Sequence, residues 1–294
     1  MQKPSTDKIA LLGIFVLTAI WSLNWVVMKL ALRDGGPFAF SALRYLLGTA
    51  GLFALLALLR RPLRPTPWLP TLGVGLTQTA GFQLLVQLSL VSGGAGKMAI
   101  LAYSMPFWIV PLAWWWLGER PGRARWLCIA AAAVGFVLVV QPWQAMGEAH
   151  SVALALASGL TWAVSAVLAK RMFQRYPDVT PLRLTAWQML YGTLALVVVA
   201  ALVPERGIHW TASYVGALLY AGFLASSIAW VAWAVVVQRV AASVAGLTSL
   251  AVPVGGVLFA WALLGESPSD VEWLGIGLIA AALAALNFAG TQRA

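Results

Sequence analysis

The run from Gly93 to Glu119, GGAGKMAILAYSMPFWIVPLAWWWLGE, is apolar enough to cross a bilayer, yet it opens on Gly93, Gly94 and Gly96 and holds Pro106 and Pro111 inside. A related run ends at Glu266. Pro106 matches Pro253, Gly118 matches Gly265, Glu119 matches Glu266, Pro121 matches Pro268 and Trp126 matches Trp273, every pair 147 positions apart. A proline inside such a run breaks the helix, and a broken helix at membrane depth needs protein or water on its open side. Two broken runs at corresponding places in two halves point to a binding site between membrane repeats.

Composition supports a lipid environment. Only 10% of the 294 residues are charged and 61% are hydrophobic, whereas a soluble domain carries about 25% charged residues. The net charge of +10 does not indicate nucleic acid, because the basic residues fall in short gaps between apolar runs and form no patch. Cys128 is the single cysteine, so no intramolecular disulfide and no multi-cysteine metal site can form. The first apolar run continues from Ile9 to Leu32, too long for the core of a signal peptide, and reads as a retained helix.

Ten runs reach the length of a span: 9–32, 38–59, 68–91, 95–117, 124–140, 152–172, 182–203, 214–237, 241–264 and 271–289. None alternates with period two, so each is expected to be helical rather than a barrel strand. With the N-terminus in the cytoplasm, 14 of the 19 Lys and Arg lie inside, which favours cytoplasmic termini. Five spans per half is an odd number, so the second copy enters from the opposite side. The loop GERPGRAR and its mate GESPSDVE carry opposite charge, as an inverted repeat requires. The expected architecture is an all-α integral membrane protein of ten transmembrane helices, with one five-helix repeat in 1–145 and its inverted copy in 146–294. Looser echoes pair Trp21 with Trp162 (141 apart), Gly48 with Gly192 (144 apart) and Gly75 with Gly222 (147 apart).

This pattern resembles the drug/metabolite transporter superfamily, EamA type. The resemblance is carried by Met105–Pro106 through Gly118–Glu119–Arg120–Pro121, by Val252–Pro253 through Gly265–Glu266–Ser267–Pro268, by Ala19–Ile20–Trp21–Ser22 and by Ala42–Leu43–Arg44–Tyr45. It covers nearly the whole chain, through order and spacing rather than one specific motif. Within the family the chain is most similar to the YddG aromatic amino acid exporters of the bacterial inner membrane. Gln78, Gln83 and Gln87 in the third helix depart from many relatives.

Candidate site residues follow from polarity inside the spans. Trp21, Asn24, Trp25 and Met28 recur at i, i+3, i+4, i+7 along the first helix; Ser158, Trp162 and Ser165 run along the sixth; Ser226, Trp230 and Trp233 run along the eighth. In the third helix Gln83 and Gln87 share one face, and Gln78 and Phe82 another. Tyr103 and Ser104, and Thr248 and Ser249, stand just before Pro106 and Pro253. The expected substrate-binding set is Trp21, Asn24, Gln78, Phe82, Gln83, Tyr103, Ser104, Trp162, Ser165, Trp230 and Thr248. Gly93, Gly94, Gly96, Pro106 and Pro253 are the expected hinges. For each, packing competes with function: aromatic stripes also form cores, amides also bond between helices, and prolines also make plain kinks. Lys97 and Lys29 read as substrate contacts or as lysines reaching an interface. Arg44 reads equally as an ion-pair partner of Asp34 or as a cavity residue.

The helical interiors contain no Asp or Glu, Glu272 standing at the very start of its span, and His150 and His209 fall in loops. The hypothesis is transport without an obligatory carboxylate proton relay. There is no nucleotide loop and no metal-ligand spacing, so no cofactor is expected. The reading is a non-enzymatic secondary transporter, a monomer of the bacterial inner membrane with a small-molecule substrate. It exports aromatic or other hydrophobic amino acids and tolerates aromatic cations. Exporters of a threonine-like amino acid, a nucleoside or a lipid-linked sugar stay open, and so does an intramembrane transferase.

Overall fold

The computed structural model describes residues 8–92, 100–143, 149–264 and 267–291. Among the described residues every regular element is helical. In chain order these are α1 (Lys8–Ala31), α2 (Pro37–Leu58), α3 (68–92), α4 (Ile100–Leu117), α5 (Arg123–Val140), α6 (Ala149–Arg175), α7 (Pro181–Leu202), α8 (Ala212–Arg239), α9 (242–264) and α10 (Asp270–Thr291). Seven of them, α1, α2 and α4 to α8, are long and apolar enough to cross a membrane. Leu58, Trp115 and Leu202 expose 75% or more of their surface, as residues facing lipid do and residues facing water rarely do.

Local chemistry sets the helix starts. Pro37 and Pro181 occupy the first turns of α2 and α7, where a missing N–H leaves no bond unmade. Thr180 and Thr211 cap α7 and α8 by accepting from Arg183 N and Tyr214 N. Gly118 ends α4 in the left-handed conformation at φ 69°, which glycine adopts without strain.

Two helices carry an irregular middle. In α3 the stretch Gly75–Gly81 is π-helical, and in α8 the stretch Tyr220–Ile228 is π-helical. Two others carry a turn. α4 turns at Tyr103–Ser104 and α9 at Ser249–Leu250. The turns precede Pro106 and Pro253, in the stretch that a proline ring crowds and leaves without a backbone donor. Pro106 lies in the first turn of Met105–Leu117, and Pro253 near the start of Ala251–Leu264. Bonds from Ser104 N to Leu101 O and from Leu250 N to Leu247 O tighten the chain there. Gly93, Gly94, Gly96 and Lys97 lie outside the described residues, and so does Glu266.

The packing is symmetric between halves. α1 lies against α8 and α9, while α6 lies against α3 and α4. α2 packs on α7 and on the π segment of α8, while α7 packs on the π segment of α3. α5 packs on α10, and α4 on the first part of α9. Exchanging each helix for the one five places along maps this set of neighbours onto itself. Glycines make the close approaches possible, as small residues do between membrane helices. A methyl on Gly192 would fall 2.5 Å from Gly75 O, and one on Gly48 would fall 3.0 Å from Gly222 O.

Candidate functional site: an aromatic cavity between the halves

Four rings stand at the centre of the bundle. Trp21 of α1 and Trp162 of α6 meet edge to face with centroids 5.6 Å apart. Phe82 follows the π segment of α3, and Trp230 follows that of α8. Trp21 contacts Trp230 at 4.8 Å, and Trp162 contacts Phe82 at 5.3 Å, so the two halves repeat the same pairing. Phe82 and Trp230 close the ring at 6.5 Å. Edge-to-face pairs of this kind add to the stabilisation from burial alone. Tyr103, from the turn in α4, packs on Trp162 at 5.5 Å and on Trp25 at 6.0 Å.

These rings border a cavity of about 40 Å³, also lined by Asn24, Met28, Arg44, Tyr45, Gln83 and Val86. That is room for a few waters. Trp21 Nε1 donates to Ala225 O in the π segment of α8 at 3.0 Å. Trp162 Nε1 is buried without a partner, and so is Asn24 Oδ1. Both atoms belong to cavity-lining side chains, where a polar solute could satisfy them.

A polar chain leads from the cavity toward one end of the bundle. Gln83 Nε2 donates to Ser41 Oγ at 2.9 Å, and Gln87 Nε2 donates to the same oxygen at 2.8 Å. Gln87 also lines an outer pocket of about 460 Å³ together with Glu205 and Arg206. At this end the Glu205 carboxylate accepts from Phe38 N (2.9 Å) and Ala39 N (2.8 Å), capping α2. Arg206 donates to Leu32 O and Gly35 O beyond the end of α1. The opposite end is held the same way. Glu119 accepts from Ala242 N at 2.8 Å and from Ser243 N and Oγ, capping α9. Lys170 Nζ donates to Gln238 O and Val240 O at the end of α8. Each carboxylate meets a helix N-terminus and each cation a C-terminus, as the helix dipole favours.

Residues 8–141 and 150–288 each match the model of the EamA-like transporter family. The chain belongs to the EamA-like transporter family. It is 26% identical to the uncharacterized transporter YoaV of Bacillus subtilis, over 96% of this chain and 98% of that one. It is 28% identical to a probable amino-acid metabolite efflux pump of Salmonella typhimurium, over 91% of each chain. It is 30% identical to a riboflavin transporter of Rhizobium johnstonii, over 88% of this chain and 82% of the relative. A solved crystal structure superposes with a TM-score of 0.81 at 21% identity, covering 95% of this chain and 96% of its own, and it shares the fold.

In this EamA-like transporter the structure gathers Trp21, Asn24, Phe82, Gln83, Tyr103, Trp162 and Trp230 around one cavity. It keeps Gln78, Ser104, Ser165 and Thr248 out of the lining. Ser165 Oγ donates to Trp162 O and lies 3.3 Å from Gln78 Oε1, so the two expected residues meet each other. Ser104 Oγ accepts from Trp108 Nε1, and Thr248 Oγ1 donates to Ala245 O. Pro106 and Pro253 are buried beside their turns, outside the cavity. Asp34 accepts from Thr211 Oγ1 and not from Arg44. The expected set lacks Trp25, Met28, Arg44, Tyr45 and Val86. The stripe along α1 already marked the first two, Arg44 was read as a cavity residue or an ion-pair partner, and Tyr45 entered only with the family resemblance; nothing in the sequence marked Val86.

Proposed function

We propose that this chain is a secondary exporter of aromatic or other hydrophobic amino acids, working by alternating access at the ring of Trp21, Phe82, Trp162 and Trp230. The observation that carries the proposal is this ring, to which each half gives one ring from its first helix and one from just after the π segment of its third, around a cavity at their interface. Flat apolar solutes match such walls. The symmetric packing supports two inverted five-helix repeats, 1–145 and 146–294, making ten spans in the bacterial inner membrane. The Lys and Arg distribution supports cytoplasmic termini. On that orientation the Glu205 end faces outward, and the Gln83–Ser41–Gln87 chain leads from the cavity to the exit. The named efflux pump among the relatives agrees with this direction.

A cavity of about 40 Å³ is closed to a tryptophan-sized solute. The four rings must part for loading, with one end latch released at a time. Counterflow of labelled tryptophan in proteoliposomes tests the reading. Accumulation above that in protein-free liposomes is expected; none would remove the aromatic amino acid assignment. A second reading, export of a larger flat metabolite, is favoured by the relative named as a riboflavin transporter. A thermal-shift panel of tryptophan, phenylalanine, threonine, nucleosides and riboflavin separates the two, since only a ligand of the native state raises the melting point.

A further inference from the structure

Arg44 is buried, at 3% exposure, with its side chain bordering the cavity. Its Nε donates to Ser226 Oγ at 3.0 Å, its Nη1 lies 3.1 Å from Met28 Sδ, and its guanidinium stands 5.1 Å from the Tyr45 ring centre. Among the described residues it has no carboxylate partner. A thioether sulfur is a weak acceptor, and a buried guanidinium needs strong ones. The charge is therefore left uncompensated by the protein around it.

The other half shows that this charge does not serve packing. Gln188 stands 144 positions after Arg44, in the register that pairs Gly48 with Gly192 and Thr49 with Thr193. Thr79 Oγ1 donates to Gln188 Oε1 at 2.9 Å. Thr79 and Ser226 occupy the π segments of α3 and α8, 147 positions apart. The link from α7 to its π segment is thus made by a neutral amide, and the equivalent link from α2 by a cation. An amide suffices for the link, so the positive charge at position 44 serves something else.

Asn24 adds the complementary group. Its Nδ2 lies 3.2 Å from the same Met28 sulfur, and its Oδ1 is the buried unpartnered acceptor noted above. Two donors thus converge on one soft, unbranched side chain that a stronger acceptor would displace. We propose that Arg44 binds the carboxylate of the transported solute and Asn24 Oδ1 its ammonium. The site then selects aromatic α-amino acids over aromatic amines, which Arg44 repels, against the tolerance of aromatic cations expected from the sequence. This assignment rests on the transport reading above.

The test uses the purified full chain, thermal unfolding, and four solutes: tryptophan, tryptamine, indole-3-propionate and threonine. Tryptophan and indole-3-propionate should stabilise the wild type, and tryptamine should not. The apparent Kd for tryptophan should be about 10- to 100-fold below that for tryptamine, as a charge-assisted bond predicts. Arg44→Gln copies the residue of the other half, so it keeps a polar group for Ser226, and it should erase the preference. Arg44→Lys, which keeps the charge, should retain part of it and guards against a folding defect in the first variant. Equal binding of tryptamine and tryptophan by the wild type, or an undiminished preference in Arg44→Gln, overturns the assignment. If threonine alone stabilises the wild type and loses that effect in Arg44→Gln, the carboxylate site stands and the aromatic reading falls.

Discussion

Thr49 Oγ1 and Thr193 Oγ1 lie 3.1 Å apart, a hydrogen bond between two residues separated by 144 positions that hold the same place on α2 and α7. The two residues meet where α2 and α7 cross. The glycines beside them, Gly48 and Gly192, each meet a glycine of the opposite half's third helix, Gly222 and Gly75. The π segments are therefore seated directly on this crossing, and the rings that follow them, Phe82 and Trp230, are placed by it.

Gly192→Ala should destabilise the protein strongly. Its Cβ would sit 2.4 Å from Thr79 Cβ and 2.5 Å from Gly75 O, and a backbone oxygen cannot turn aside. Overpacking of this kind costs about 1–3 kcal/mol. Gly216→Ala is the control, since nothing lies within 4 Å of a Cβ there; on an open helical surface alanine gains up to about 1 kcal/mol over glycine. Thermal midpoints in detergent should fall for the first and hold or rise for the second. Equal midpoints would contradict the close crossing of α3 and α7.

Glu119→Gln should loosen the end of the bundle where α9 begins. The carboxylate takes the N–H groups of Ala242 and Ser243 as well as the Ser243 hydroxyl, and loss of such a cap costs about 1–2 kcal/mol. Hydrogen exchange in 240–246 should speed up while the start of α2, capped by Glu205, stays protected. The carboxylate is committed to capping, so a pH-dependence of flux, if present, should survive the substitution. Loss of that dependence with binding intact would reinstate a proton relay through Glu119.

Ser41→Ala should be costly for its size. One hydroxyl accepts from both Gln83 and Gln87, and its loss strands two buried amide donors at about 1–3 kcal/mol each. Gln87 retains a longer bond to Pro37 O at 3.3 Å, so Gln83 should bear more of the loss. The measurement is the thermal midpoint of Ser41→Ala against that of the triple variant with Leu at 83 and 87. The triple variant should recover part of the stability, because it removes the stranded groups.

The duplication was legible because proline, glycine and tryptophan resist replacement where a turn, a cap or a ring is needed. The 141, 144 and 147 offsets led to Trp21 and Trp162, Gly48 and Gly192, and Gly75 and Gly222. The π segments were not legible, since no residue type demands five-residue bonding rather than four. That omission misplaced Gln78. In an unbroken α-helix Gln78 shares a face with Phe82, but the wide turns over Gly75–Gly81 shift the register, bringing Phe82 and Gln83 to the cavity and leaving Gln78 against Ser165. The equivalence of Arg44 and Gln188 was hidden for a simpler reason. The two residues differ in kind, and only the bonds to Ser226 and Thr79 show that they do the same structural task.

Trp162→Phe separates packing from binding at the centre of the ring. Trp162 touches Trp21, Phe82, Tyr103, Trp230 and Trp233 with centroids 5.2–5.9 Å apart. Trp162→Ala should therefore lose about 3–5 kcal/mol, as large aromatic truncations do. Phenylalanine keeps one ring and removes the N–H that is buried without a partner, which offsets part of the lost contact. Its midpoint should fall well short of the alanine drop. If that N–H meets the solute, tryptophan affinity should nonetheless decline about tenfold, the worth of one hydrogen bond. Isothermal titration beside thermal unfolding reads both quantities. A phenylalanine variant that binds as tightly as the wild type would assign Trp162 to the wall alone, and one as unstable as the alanine variant would show that the second ring, not the unpaired donor, dominates the packing.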